Sequence, residues 1–165
     1  PRLFELGILP AIDVGKSVSR VGGKAQLPVY YSLTGNLKLA YAQFEELETF
    51  SRFGTRLDEN TRKIFEHGKR IRVCLKQNEL HPMPVYEQIM VLLALAEGFF
   101  DSIPIDNMQE AEEALLKDCK KLPAEILKVM LLDKNLSDKV HETIMKIARN
   151  ALAPYQEKSE SNETE

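Results

Sequence analysis

Leu37-Lys38-Leu39-Ala40-Tyr41-Ala42-Gln43-Phe44-Glu45-Glu46-Leu47-Glu48-Thr49-Phe50 is the stretch on which the fold turns. Its large apolar residues Leu37, Tyr41, Phe44, Leu47 and Phe50 recur at three- and four-residue steps, the spacing that lines one side of an α-helix. Gly54, a few residues on, is expected to end that helix as a C-cap. Glu45, Glu46 and Glu48 alternate with the apolar positions and read as a solvated face. A carboxylate cluster with no histidine beside it is weak support for a metal site.

Downstream the helical period continues. Asp58 is placed to cap a second helix that carries Ile64, Gly68, Ile71 and Leu75 on one face down to about Gln77. Lys69, Arg70, Arg72 and Lys76 on the same helix could suggest an anion site, but they fit a solvated amphipathic face better. His81-Pro82-Met83-Pro84 then breaks the chain. A third helix over residues 89–96 is apolar nearly all round, which predicts a central position; Phe99 and Phe100 close it before Pro104. Shorter helices are expected over 107–120, 123–133 and 138–150, the last capped by Ser137 with Val140, Ile144 and Ile147 on its buried edge. From Pro154 onward the chain is polar and acidic and reads as a disordered tail. Among these segments there is no internal repeat, heptad run or series of strands. The expected fold is all-α, an antiparallel bundle of about six helices over residues 26–153.

Composition agrees. The 165 residues, with 44% hydrophobic and 28% charged side chains, suffice for one core of ordinary domain size. A net charge of -3 and a pI near 5.7 argue against nucleic acid as the main partner. Cys74 and Cys119 show no metal or redox spacing and are expected to be reduced thiols in or near the core. His67, His81 and His141 lie far apart and beside no nucleophile, so surface or capping roles are expected. No apolar run reaches the ~20 residues that span a bilayer.

Upstream of Gln26 the character changes to glycine, proline and β-branched residues. Gly15-Lys16-Ser17-Val18-Ser19-Arg20-Val21-Gly22-Gly23-Lys24-Ala25-Gln26 sets one arginine among small hydroxyls and paired glycines. The glycines allow close backbone approach, and the Arg20 fork can take two phosphate oxygens at once. Taken alone, the same residues also describe a surface turn with a solvated arginine. Val14-Gly15-Lys16-Ser17 ends like a P-loop, but the opening glycine would have to stand at Pro10 and a helix would have to start at Lys16. Val18, Val21 and the glycine pair suit an extended strand and turn instead. The chain by itself shows no catalytic set.

The stretch from Gly7 to Gly23, Gly-Ile-Leu-Pro-Ala-Ile-Asp-Val-Gly-Lys-Ser-Val-Ser-Arg-Val-Gly-Gly, resembles the signature G-I-R-P-A-I-N-V-G-x-S-V-S-R-V-G of the alpha subunit of rotary F-type ATP synthases. The likeness continues in Gly35-Asn36-Leu37-Lys38-Leu39, in Phe53-Gly54-Thr55-Arg56-Leu57-Asp58, in Leu75-Lys76-Gln77 and in Pro82-Met83-Pro84-Val85-Tyr86-Glu87-Gln88, covering roughly residues 3 to 106. It implies that residues 1–25 are the C-terminal edge of an α/β nucleotide-binding domain whose Walker A loop lies upstream, that 26–153 are the helical domain, and that 154–165 are the tail.

The resemblance also implies roles. Arg20 would be the arginine finger reaching in trans toward the γ-phosphate of ATP held by the neighbouring beta subunit, and Ser17 the serine required for activity. Pro10 and Gln77 match the adenine end of the non-catalytic nucleotide site, while Leu9 replaces an arginine and Glu79 a glutamine there. ATP or ADP with Mg is implied for the whole subunit, and no tightly bound nucleotide for this stretch. The implied partners are the beta subunit in an alternating ring and the gamma central stalk, with the membrane touched only indirectly, at the cytoplasmic face of a prokaryotic plasma membrane. Lys16 for leucine and Asp13 for asparagine resemble a divergent prokaryotic branch with sodium-linked members. An alternative of a different class is a free-standing helical adaptor that binds a partner in its apolar grooves.

Overall fold

The computed structural model describes residues 2–51, 57–78, 80–132 and 137–156. Two single-turn helices, α1 (Arg2–Glu5) and α2 (Gly22–Ala25), precede six longer ones: α3 (Pro28–Ser51), α4 (Glu59–Cys74), α5 (Val85–Ala96), α6 (Met108–Cys119), α7 (Ala124–Leu132) and α8 (Asp138–Leu152). Short 3-10 turns lie at Ile105–Asn107 and Ala153–Tyr155. The described residues contain no strand, so the all-α class holds. Val18 and Val21 are exposed loop residues, not strand, and the glycine pair opens α2. The proposed C-cap Gly54 and residues 157–165 of the expected tail lie outside the described residues.

The expected starts and stops have identifiable chemistry. Asp58 caps α4, its carboxylate accepting from the Thr61 N–H at 3.0 Å. Ser137 stands at the N-cap of α8 and contributes its carbonyl, which the His141 N–H meets at 2.9 Å; its side chain makes no cap bond. After α5, Gly98 takes a positive φ of 71°, and the Phe99 and Gly98 N–H groups turn back onto the Ala94 and Leu95 carbonyls. That paired closure needs a residue without a Cβ at the left-handed position.

α5 is the hub. Ile89, Met90, Ala94 and Leu95 are fully buried, and the helix touches α3, α4, α6, α7 and α8. α3 and α4 make the closest pair, because Gly68 lets the Phe44 ring lie against the α4 backbone. Tyr30 ties α3 to α5 by donating to Gln88 Oε1 at 2.7 Å. Cys74 and Cys119 are free and buried.

The structure corrects several side-chain placements. Phe50 is 62% exposed, although it continues the apolar stripe. Each three-residue step falls about 60° short of a full turn, so two steps carry Phe50 some 120° away from Phe44, whereas Glu48 lies only about 40° from it. Glu48 therefore takes the buried edge and clasps Arg72 through two bonds of 2.7 and 3.1 Å. Arg72 stacks on the Phe44 ring at 4.4 Å and donates to Tyr41 Oη at 3.1 Å. Arg70 is buried too, and its guanidinium donates to the carbonyls of Phe100 and Ile103 at 2.8 Å each. Neither arginine belongs to a solvated face. Ile64 and Leu75, placed on the buried stripe of α4, sit toward its ends and are each 39% exposed.

Candidate functional site

The residues expected to carry function sit in the segment leading into the bundle. α1 closes at Gly7, which has a φ of 67°, with the Gly7 and Ile8 N–H groups bonding back to Phe4 and Leu3. The chain then bends at the cis Leu9–Pro10 peptide, and the Ile12 N–H donates to the Pro10 carbonyl at 2.8 Å before Asp13 is reached. There the carboxylate accepts the Lys16 N–H at 2.9 Å, the carbonyl accepts the Ser17 N–H at 2.8 Å, and the Lys16 ammonium pairs at 3.2 Å. The Lys16 backbone bond, with the ammonium adding to it, holds the Asp13 carboxyl below the usual range. Asp13 is thus the organiser of a turn, the role an aspartate plays wherever its side chain mimics a backbone carbonyl.

Next comes Ser19, whose Oγ accepts the Gly22 N–H at 2.9 Å and so starts α2. No helix begins at Lys16, which agrees with rejecting a P-loop. Arg20 lies between the two turns. It is exposed, and among the described residues its guanidinium has no hydrogen-bond or ion-pair partner. Ser17 is exposed on the same loop. The loop therefore presents a free planar cation and a hydroxyl outward from a backbone pinned at Asp13 and Ser19.

Two elements hold this loop on the bundle. Gly15 packs against Glu45 of α3, where an added Cβ would lie 3.3 Å from the carboxylate. Burial, with the Asp13 charge adding to it, pushes the Glu45 carboxyl upward. An open cleft of about 580 Å³ separates Asp13 and Lys16 from Thr49 and Arg72. Farther along, the Gln77 N–H donates to the Leu9 carbonyl at 3.0 Å. That bond brings Pro10 and Gln77 into one neighbourhood. The Gln77 side-chain amide is already engaged with the His81 carbonyl at 3.2 Å, and Glu79 lies outside the described residues.

Two of the three histidines make contacts between elements. His67 Nδ1 meets Asp101 at 2.6 Å and His141 Nε2 meets Glu97 at 3.5 Å, so two helices are tied to the turn after α5. Burial raises both thiols, Cys119 to about 11, which leaves neither as a ready nucleophile. Among the described residues no group of three or more His, Cys, Asp or Glu is placed to hold a metal ion.

Sequence reasoning missed Glu112. It lies on α6 one turn from Met108 and one from Leu116, facing the Cys74 thiol of α4, and burial pushes its carboxyl up to about 7. The available signal was its helical step from Met108, which places an acid on the edge of a buried face.

Comparison with known proteins fits this geometry. Over 155 residues the chain is 57% identical to ATP synthase subunit alpha 2 of Polaromonas naphthalenivorans, covering 94% of this chain and 30% of that protein. It is 59% identical over 156 residues to ATP synthase subunit alpha 2 of Albidiferax ferrireducens, covering 94% and 29%. ATP synthase subunit alpha 1 of Psychromonas ingrahamii is 57% identical, covering 94% and 30%. The chain thus spans about 30% of the length of the curated relatives it matches. The model of the family described as ATP synthase alpha/beta chain, C terminal domain matches residues 26–151, which coincide with the helical bundle, and the chain belongs to that family.

Proposed function

We propose that this chain acts as the C-terminal part of the regulatory, non-catalytic alpha subunit of an F-type ATP synthase. In that setting Arg20 is an arginine finger supplied in trans to the beta-subunit catalytic site. The observation that carries this is the exposed guanidinium of Arg20, without a partner among the described residues, in a chain of which 94% aligns with alpha subunits. A fixed planar cation stabilises the charge that spreads over a transferring phosphoryl group, while MgATP and the attacking water are held by the partner. Ser17, on the same loop, is assigned to positioning.

Pro10 and Gln77 would hold one edge of the adenine of a nucleotide that is bound but not hydrolysed. Leu9 supplies no stacking cation there, and the Gln77 amide already serves His81. The site is therefore weak, and the chain alone neither binds ATP tightly nor turns it over. Coupling to proton or sodium flow runs through the rest of the complex, a peripheral assembly on the cytoplasmic face of a prokaryotic membrane, with beta and gamma subunits as neighbours. No helix of the described residues is long and apolar enough to cross a membrane.

The test is reconstitution of the full-length subunit with its beta and gamma partners, followed by steady-state ATPase assay. Arg20→Ala is expected to lower turnover by ~10³ to 10⁵ with beta-site affinity kept, and Arg20→Lys to remain impaired because a point charge lacks the fork. Near-normal turnover in Arg20→Ala would remove Arg20 from the mechanism.

A further inference from the structure

We propose, on the reading of Arg20 as a finger in trans, that Asp13 is a positioning residue for it: by accepting the Lys16 N–H, the Asp13 side chain fixes the turn from which the arginine is presented. Two hydrogen-bonded closures occupy this loop. The first joins Asp13 to Lys16 through the carboxylate at 2.9 Å and to Ser17 through the carbonyl at 2.8 Å. The second joins Ser19 Oγ to the Gly22 N–H at 2.9 Å, and Arg20 lies inside it. It closes only because residue 22 is glycine, since an added Cβ would lie 2.9 Å from both Ser19 Cβ and Ser19 Oγ. Val18 alone stands between the two closures, and it is 90% exposed, so packing does not hold it. One residue contributes two soft dihedrals, and the place of the Arg20 Cα is therefore inherited from the Asp13 turn.

The loop is seated on α3 at both ends. At Gly15 an added Cβ would lie 3.3 Å from Glu45 Oε2 and 3.5 Å from Asp13 Oδ1, so the turn meets the helix there. At Gly23 it would lie 3.7 Å from the Tyr31 ring, near the start of the same helix. Tyr31 and Glu45 are about 21 Å apart along the axis of that helix. Arg20 thus hangs between two seats on one rigid element, and loss of the upstream turn frees it on that side. The charge of Asp13 is not what holds the turn. Its partner Lys16 has a side chain 88% exposed, where an ion pair contributes little, and Glu45 opposite is a like charge. The acceptor oxygen is what matters.

The test uses the full-length subunit reconstituted with its beta and gamma partners, in complexes matched for subunit composition, with kcat and KM for MgATP measured by steady-state ATPase assay. Asp13→Asn keeps an acceptor oxygen in place and drops the charge. Asp13→Glu keeps the charge but carries its oxygens one bond farther out, where the short closure onto Lys16 no longer forms. Native kcat is expected in Asp13→Asn. In Asp13→Glu kcat is expected to fall roughly tenfold to a hundredfold with KM unchanged, the loss that a misplacement of about 1 Å brings. In an Arg20→Ala background the same Glu substitution is expected to add no further loss. Native kcat in Asp13→Glu, an equal fall in Asp13→Asn, or a further fall on top of Arg20→Ala each overturns the positioning role. Near-normal turnover in Arg20→Ala removes the finger and the positioning role together, whereas an impaired Arg20→Ala beside a native Asp13→Glu removes the positioning role alone.

Discussion

At Gly68 the presence of one methyl group decides whether α3 and α4 can approach. A Cβ there would overlap the Phe44 side chain, and Phe44 is held from its other side by Arg72 and Phe65. Gly68→Ala is therefore expected to destabilise the bundle by ~3 kcal/mol, since a closely packed interior yields to added volume only through strain. The same change at Gly35 has the opposite sign. That glycine is exposed on α3 with nothing within 4 Å of an added Cβ, so alanine gains helix propensity worth ~1 kcal/mol. Urea denaturation of the two variants checks both, and a Gly68→Ala midpoint equal to that of the native chain would show that Phe44 has a tolerated alternative position. Two glycines in one bundle are thus distinguished by their neighbours rather than by their backbone angles.

Elements are joined here by charged side chains turned inward. Arg70 reaches from α4 to the turn after α5 and supplies donors to the Phe100 and Ile103 carbonyls, which face no solvent. Arg70→Met should cost about 3 kcal/mol, because it leaves two carbonyls desolvated and unmet; thermal unfolding measures it, and Arg70→Lys should recover only part. This layer of the structure explains what the sequence could and could not reveal. Helix positions follow from a period that each segment carries within itself, so α3, α5, α6, α7 and α8 were readable, as was the Asp58 cap. Whether Glu48, Arg70 and Arg72 face water depends on which carbonyl or ring lies opposite, a fact stored in another segment. The loop from Leu9 to Val21 was unreadable for the same reason, since its path rests on Gln77 and on Asp13 bonding to its own backbone. Arg20 and Ser17 were found by their motif. Only the fold reveals that Arg20 is exposed and has no side-chain partner among the described residues.

For the whole molecule the buried acids set a stability profile with two edges. Burial raises Glu112 to about 7 and raises Glu45 as well, so their folded forms hold protons more tightly than the unfolded chain does. For such groups the stabilising contribution is complete below the unfolded value near 4.5 and is lost as pH rises through the folded one. Returning the Glu112 carboxyl from about 7 to its ordinary 4.5 on unfolding corresponds to at most ~3 kcal/mol, and the Cys74 thiol opposes part of the effect of burial. On the acid side the order reverses. Asp13 and Glu66 are held below their ordinary values, Asp13 mainly by the Lys16 N–H and Glu66 by Lys69 and Arg70 against the opposing effect of burial. Their contribution is present above the unfolded values and is lost as pH falls through the folded ones, below about pH 4. The melting temperature should therefore peak between roughly pH 4 and pH 5 and decline steadily up to about pH 7, although the chain carries a net charge of only -3 and self-repulsion alone would give little slope. Replacing Glu112 by Gln should flatten the alkaline edge while leaving the acid edge in place. A profile that is level from pH 5 to pH 8 in the native chain, or an alkaline edge unchanged in that variant, would show that water already reaches Glu112 freely in the folded chain.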